Sequence, residues 1–183
     1  MIHLKDELKT DFLIYAQAVN NNRAFPDARD GLKPVQRAIL WAMYDNKYFS
    51  TKPHVKSAKV DGEVLGKFSP HGSCYDAIVR LSQDWINPLP LVSWHGANGS
   101  LISGNQAAAS RYTECRLAEA TEDCYFTNIN KNTVDFIDNY SEDLKWPGKV
   151  LPCIAPILLI NGSSGIGYTI AQDWLPHNLI EIV

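Results

Sequence analysis

Lys56-Ser57-Ala58-Lys59-Val60-Asp61-Gly62-Glu63-Val64-Leu65-Gly66-Lys67-Phe68-Ser69-Pro70-His71-Gly72-Ser73-Cys74-Tyr75-Asp76-Ala77-Ile78-Val79-Arg80-Leu81-Ser82 is the stretch that decides the fold. Lys56 to Lys67 reads as a short helix, weakened by Gly62 and Gly66, each costing up to about 1 kcal/mol relative to alanine. Ser69-Pro70-His71-Gly72 is a turn, punctuated by proline and glycine. The next helix sets Tyr75, Ile78, Val79 and Ser82 on one side and Asp76 and Arg80 on the other. Two helices joined by a short glycine-containing turn form a helix-turn-helix. The second helix of such a pair is the one offered to a DNA groove. Trp85-Ile86-Asn87-Pro88 closes it.

Toward the N-terminus, Leu32, Val35, Ile39, Leu40 and Met43 follow helical spacing, with Gln36 the one polar residue near that face. Pro34 suits the first turn, where a missing N–H costs nothing. Lys33 and Arg37 lie four apart, which predicts a shared polar face away from the apolar stripe. Residues 5–20 read as another helix through Leu8, Phe12, Leu13, Tyr15, Ala16 and Val19, ended by Asn20-Asn21-Asn22. Phe25-Pro26-Asp27 is a turn.

Toward the C-terminus, Pro90, Gly96, Gly99 and Gly104 break residues 89–104 into short apolar pieces, which suits a wing of strands and loops. Residues 111–126 are expected to be helical and 133–140 mixed. Leu151 to Ile160 is apolar and strand-like despite two prolines. Asn161-Gly162-Ser163-Ser164-Gly165 reads as a turn. There are no repeats and no low-complexity tracts.

The 183 residues, 45% hydrophobic and 20% charged, have the composition of an ordinary globular protein of one good-sized domain or slightly more. Cys74, Cys115, Cys124 and Cys153 are widely spaced with no CxxC pair, which argues for reduced thiols rather than zinc. The first residues carry no apolar signal core, and no apolar run approaches the roughly 18 residues of a membrane span. A cytoplasmic, non-membrane protein is expected. The net charge of −3 conceals an asymmetry. Residues 23–67 hold nine Lys/Arg against five Asp/Glu, whereas residues 114–183 hold four against ten. A basic stretch in an acidic chain is a local electrostatic footprint for a polyanion, or a solvated face that happens to be basic.

Gln106-Ala107-Ala108-Ala109-Ser110-Arg111-Tyr112-Thr113-Glu114-Cys115-Arg116-Leu117 sets a guanidinium beside a phenol. A tyrosine is a poor nucleophile near neutrality because its pKa is about 10. An adjacent cation favours the phenolate, and a guanidinium fork also grips phosphate oxygens bidentately. The pair suits attack on a phosphodiester.

Several motifs then occur in order: Asn22-Arg23-Ala24-Phe25-Pro26-Asp27, Arg29-Asp30-Gly31-Leu32-Lys33-Pro34-Val35-Gln36-Arg37, Gly66-Lys67-Phe68-Ser69-Pro70-His71-Gly72, Ala107 to Glu114, Thr133 to Tyr140, and Asn161-Gly162-Ser163-Ser164-Gly165-Ile166. From about Asp6 to Val183 the chain resembles the breakage-reunion subunit of bacterial type IIA DNA topoisomerases, the gyrase A and topoisomerase IV C subunits. The resemblance implies an α+β fold. A short arm (1–22) would precede a winged-helix DNA-cleavage domain (23–150) and the start of a tower-like, β-rich domain (151–183). It implies that Tyr112 attacks DNA to form a 5′-phosphotyrosine, with Arg111, Arg23 and His71 around the scissile phosphate. Lys33, Arg37, Lys67, Ser73 and Asp76 would contact DNA, and Ile166 would be an intercalating wedge. Covalent catalysis would conserve the phosphodiester energy for resealing, and a wedge suits a bent duplex.

The resemblance places Mg²⁺ and ATP on a partner subunit of the gyrase B or topoisomerase IV E type, and implies a homodimer acting on double-stranded DNA. No metal is expected on this chain, which carries neither an Asp-x-Asp cluster nor a Walker phosphate loop. Three departures stand out. Ser69 replaces the first histidine of the family's His-Pro-His-Gly. Tyr75-Asp76 follows His71-Gly72 two residues early. Gly167-Tyr168-Thr169-Ile170-Ala171-Gln172 diverges beyond the wedge. The remaining tower, the exit gate and the C-terminal wrapping domain would be expected after Val183, so the chain reads as a fragment, inactive in isolation. A non-catalytic winged-helix DNA-binding protein of that descent and a pure interaction domain stay open as alternatives.

Overall fold

The computed structural model describes residues 4–127 and 129–182. The first residues of the arm (1–3) and Val183, the last residue of the resemblance, lie outside them. The fold is α+β, with small antiparallel sheets flanking a helical centre. That centre is α2 (Pro34–Asp45), whose residues from Arg37 to Met43 are all buried. Pro34 opens it, and the Gln36 side chain accepts from the Lys33 N–H at 2.9 Å, capping the first turn. Around α2 pack α3 (Ser57–Lys67) and α4 (Tyr75–Ser82), the two helices read from the sequence. Gly62 and Gly66 face open space in α3, so their missing side chains leave no hole.

Strands β1 (Val55–Lys56), β2 (Val92–His95) and β3 (Glu114–Leu117) form an antiparallel sheet in the order β1-β3-β2. Val55 and Trp94 both pair with Cys115, and Lys56 and His95 both pair with Glu114. The helix expected over residues 111–126 is therefore corrected at its start. Cys115 and Leu117 are buried while Glu114 and Arg116 are half-exposed, a period of two that makes a strand. Helical turns follow only at α5 (Glu119–Thr121) and a π-helical turn (Glu122–Phe126). A small hairpin joins β4 (Ile137–Asp138) to β5 (Lys145–Trp146).

The strand-like reading of residues 151–160 is also corrected. Its last part is α6 (Ile157–Asn161), a short helix after Pro156 that buries Ile157 and Ile160. Leu151, Ile157 and Ile160 join the same core as Leu32, Ile39 and Val60. Asn161 ends α6 by exchanging two hydrogen bonds with the Leu89 backbone, at 2.8 and 2.9 Å. The expected glycine-serine turn is largely β6 (Ser163–Ile166), paired with β7 (Ala171–Trp174). A last short helix, α7, spans Leu179–Ile182.

At the N-terminus α1 (Leu4–Val19) forms as expected, but Asn20-Asn21-Asn22 does not end the helical course; it runs on through a π-helical turn (Asn20–Ala24). Among the described residues of α1 only Ala16 is buried, and Leu8, Phe12, Leu13 and Tyr15 are exposed. No helix among the described residues is long and apolar enough to cross a membrane. The four cysteines are free thiols, and burial raises Cys115 and Cys153 to about 11.

The largest correction concerns Arg37, expected on a solvated DNA-facing surface beside Lys33. It is 3% exposed. Its Nε donates to Asp30 Oδ2 at 2.7 Å, and its Nη2 donates to Asp30 Oδ1 and the Leu32 carbonyl, both at 3.0 Å. With its donors so occupied inside the protein, Arg37 is not available to a phosphate. The physical reason is the neighbouring buried carboxylate, which in a low-dielectric interior needs a bidentate cation. Removing one member leaves the other charge buried and unpaired. Arg37→Ala is expected to lower the unfolding free energy by about 3–5 kcal/mol, measured by urea denaturation.

Candidate active site

β2 ends at His95 and β3 begins at Glu114. Between them lies a glycine-rich loop whose tip exposes Leu101 and Ile102. The loop is pinned before it reaches the arginine-tyrosine pair. The Ala108 N–H donates to the Ala97 carbonyl at 3.0 Å, and the Tyr112 N–H to the Ala109 carbonyl at 2.8 Å. The start of α3 holds it from another side: Ser57 N–H donates to the Thr113 carbonyl at 3.0 Å and Ala58 N–H to the Ser110 carbonyl at 3.2 Å. Thr113 is fully buried and its hydroxyl donates to Ser57 Oγ at 2.9 Å. Tyr75 Oη lies 3.1 Å from the Thr113 hydroxyl and donates to the Ala108 carbonyl. Beyond the pair, Glu114 meets Lys56 at 2.8 Å, and that cation holds the Glu114 carboxyl below the usual carboxylate range.

With Thr113 turned in, Tyr112 is turned out and is 66% exposed. The Arg111 guanidinium carbon lies 4.7 Å from the centre of its ring, a cation–π contact worth about 0.5–1 kcal/mol at an exposed site. Phenol oxygen and guanidinium are thus presented together on the surface, on a backbone fixed from beneath.

The other residues singled out from the sequence are spread along two further elements. His71, in the α3–α4 turn, is exposed. Ser73 Oγ donates to Asp61 Oδ2 and the Cys74 N–H to Asp61 Oδ1, both at 2.7 Å, so Asp61 fastens the start of α4 to α3. Asp76 is exposed on the first turn of α4. Lys67 is ion-paired with Glu63 at 2.6 Å, a bond that raises its pKa. Arg23 is exposed near the end of the first π-helical turn. Among the described residues no hydrogen bond or ion pair links Arg23 or His71 to Tyr112. Of the nine cations between residues 23 and 67, Arg29, Arg37, Lys56 and Lys67 are spent in ion pairs with the chain's own carboxylates.

Ile166 ends β6 and is 89% exposed. Its hairpin is seated firmly. Lys33 Nζ donates to the Ser164 carbonyl at 2.6 Å, and burial together with nearby Arg80 lowers the Lys33 pKa. Asn20 receives the Tyr168 N–H at 2.6 Å and donates to the Tyr168 carbonyl at 3.2 Å, and the Tyr168 ring meets Phe12 and Tyr15 edge-on. The divergent segment after Ile166 thus packs on α1. Gly165 and Gly167 are required by close approach: an added Cβ would strike the Ala24 carbonyl in the first case and Asn20 Oδ1 in the second. Between the hairpin, α2 and α4 lies a cleft of about 460 Å³ lined by Lys33, Gln36, Asp76 and Arg80 among others. Sequence reasoning missed Ser57, Tyr75, Asp61 and Asn20, and singled out Thr113 only as part of a motif. The alternation Thr113, Cys115, Leu117 was the signal that would have turned Thr113 inward.

The family of the DNA gyrase and topoisomerase IV A subunits matches residues 23–183. The chain belongs to that family. It is 50% identical to the DNA gyrase A subunit of Metamycoplasma arthritidis over 178 residues, covering 96% of this chain and 20% of the relative. It is 46% identical to the chloroplastic/mitochondrial DNA gyrase A subunit of Nicotiana benthamiana over 185 residues, covering 100% and 20%. Against the DNA gyrase A subunit of Streptococcus pneumoniae serotype 4 it is 46% identical over 184 residues, covering 100% and 22%. The chain spans about a fifth of the length of these gyrase A relatives.

The exposed Ile166 and the seated Gly167 of this gyrase A relative should respond oppositely to truncation and enlargement. Ile166→Ala is expected to change stability by no more than about 0.5 kcal/mol. Gly167→Ala, which must displace Asn20 from the hairpin, is expected to lose at least about 1 kcal/mol. Urea midpoints of the two variants check this.

Proposed function

We propose that this chain supplies the DNA-cleaving nucleophile of a type IIA topoisomerase, with Tyr112 attacking a scissile phosphate. The observation that carries the reading is the outward-facing Arg111–Tyr112 step on a backbone locked from below. Tyr112 Oη gives its proton to solvent and forms the new bond to phosphorus, the bond to the 3′ oxygen breaks, and that oxygen takes a proton from solvent and leaves as a hydroxyl. The phosphate stays on the 5′ end as a phosphotyrosine, so the reverse attack reseals the strand. Arg111 stabilises charge on the phosphate oxygens, and Arg23 and His71 approach the same phosphate once DNA is bound. The helix-turn-helix α3–α4 with its sheet acts as a winged helix on the duplex. Lys33, Lys67, Ser73 and Asp76 line the DNA path, and Ile166, on a hairpin that opens a tower-like domain, enters the base stack as a wedge.

Among the described residues no three His, Cys, Asp or Glu side chains gather as a metal site. Magnesium, ATP and a second cleavage subunit belong to the larger assembly with a gyrase B-like or topoisomerase IV E-like partner. The presence of both Arg111 and Tyr112 supports this enzyme over a DNA-binding module that has lost cleavage.

Tyr112→Phe keeps the ring and removes the attacking oxygen. In an assembly reconstituted from the full-length cleavage subunit with its partner, it is expected to abolish covalent protein–DNA adduct trapped by denaturant while DNA affinity stays within about twofold. Adduct from the Phe variant would overturn the assignment. Lys33→Ala is expected to weaken binding on every sequence and to reduce the slope of log affinity against log salt by about 1, measured by fluorescence anisotropy across a salt series.

A further inference from the structure

We propose that Tyr75 is a positioning residue for cleavage, one that ties the DNA-facing helix α4 to the nucleophile through a hydrogen-bonded lock with Thr113 and Ser57. The proposal rests on the reading of Tyr112 as nucleophile. Tyr75 stands at the first position of α4, directly after the turn that carries His71 and Ser73. Its phenol donates to the Ala108 carbonyl and lies 3.1 Å from the Thr113 hydroxyl. Thr113 in turn donates to Ser57 Oγ at 2.9 Å at the first residue of α3, and both Thr113 and Ser57 are completely buried.

The two held points bracket the reactive step: Ala108 lies three residues before Arg111, and Thr113 immediately follows Tyr112. Between β2 and Ala108 the chain is tied at Ala97 and Asn98, to Ala108 and to the Ser82–Gln83 end of α4, but its tip is loose: residues 101–106 are exposed and Gly96, Gly99 and Gly104 adopt positive φ. The phenol therefore sets where a solvent-facing nucleophile sits relative to the helix that meets the duplex. Of the side-chain links between α4 and this loop, the Tyr75 phenol is the one that reaches the residues bracketing Tyr112, the others meeting Asn98. Nucleophilic attack depends steeply on such placement, with a misplacement of about 1 Å costing on the order of a hundredfold.

The test uses the reconstituted full-length assembly and a DNA duplex, with covalent adduct formation timed at saturating DNA. Tyr75→Phe is expected to slow adduct formation at least about tenfold, with the dissociation constant for DNA unchanged within twofold. Thr113→Val is expected to do the same, and Thr113→Ser, which keeps the hydroxyl, to restore the rate. Because both act through one lock, the double variant Tyr75→Phe/Thr113→Val should be no slower than the worse single one. An unchanged rate in Tyr75→Phe would overturn the proposal. So would a loss that Thr113→Ser shares, or one that follows weakened DNA binding or a lowered melting temperature. Failure of the unsubstituted assembly to form any adduct would instead count against Tyr112 itself.

Discussion

Everything in this molecule is arranged around a carboxylate that has no access to water. Asp30 takes two donors from Arg37, the Leu32 N–H at 2.9 Å and the Leu151 N–H at 2.9 Å, while its own carbonyl receives the Tyr125 hydroxyl at 2.7 Å. One residue thereby joins the loop before α2, α2 itself, the π-helical turn after α5 and the segment leading to α6. A buried ion pair contributes little net stability compared with apolar residues of the same volume, but breaking half of it is costly. Its use here is geometric. It sets four chain segments, separated by up to 121 residues, in one relation. Burial also drives the Tyr125 phenol pKa upward, which keeps it protonated as a donor.

The candidate site follows the same logic at the surface. Polar side chains satisfied inside hold the Arg111–Tyr112 pair outside. Ser57 and Thr113 bond to each other without contact with water. Tyr112, in the turn just before β3 with its N–H bonded back to the Ala109 carbonyl, is left exposed. Its neighbour Arg111 leans over the ring and makes no ion pair among the described residues, which leaves the guanidinium's donors for an incoming anion. The Ile166 hairpin is likewise exposed at Ile166 and fixed by Lys33 and Asn20. The wedge role proposed for Ile166 needs that combination, since a mobile wedge would lose in ordering what it gained in stacking.

Much of the helical centre was legible from periodicity. The stripe Leu32, Val35, Ile39, Leu40, Met43 and the punctuation at Ser69-Pro70-His71-Gly72 locate α2, α3 and α4 to within a residue or two, because local propensity and turn chemistry agree there with the tertiary fold. The short strands were less legible. β1 and β5 are two residues each and exist only because a partner strand is present, so no window of sequence could carry them. Residues 157–161 misled for a related reason: an apolar run between prolines has no period long enough to separate a helical turn from a strand.

The residue types themselves pointed to the family and to the chemistry proposed for it: a phenol beside a guanidinium, a set of ordered motifs and a basic stretch were readable before any coordinate. What the tertiary structure alone decided is which of those groups face water. Lys33, just before α2, and Arg37, within it, are four residues apart and carry the same charge, yet one reaches the hairpin and the other is sealed against Asp30. Charge is a property of a residue, whereas burial is a property of its neighbours, and the neighbour that captures Arg37 also takes a bond from Leu151, more than a hundred residues away along the chain.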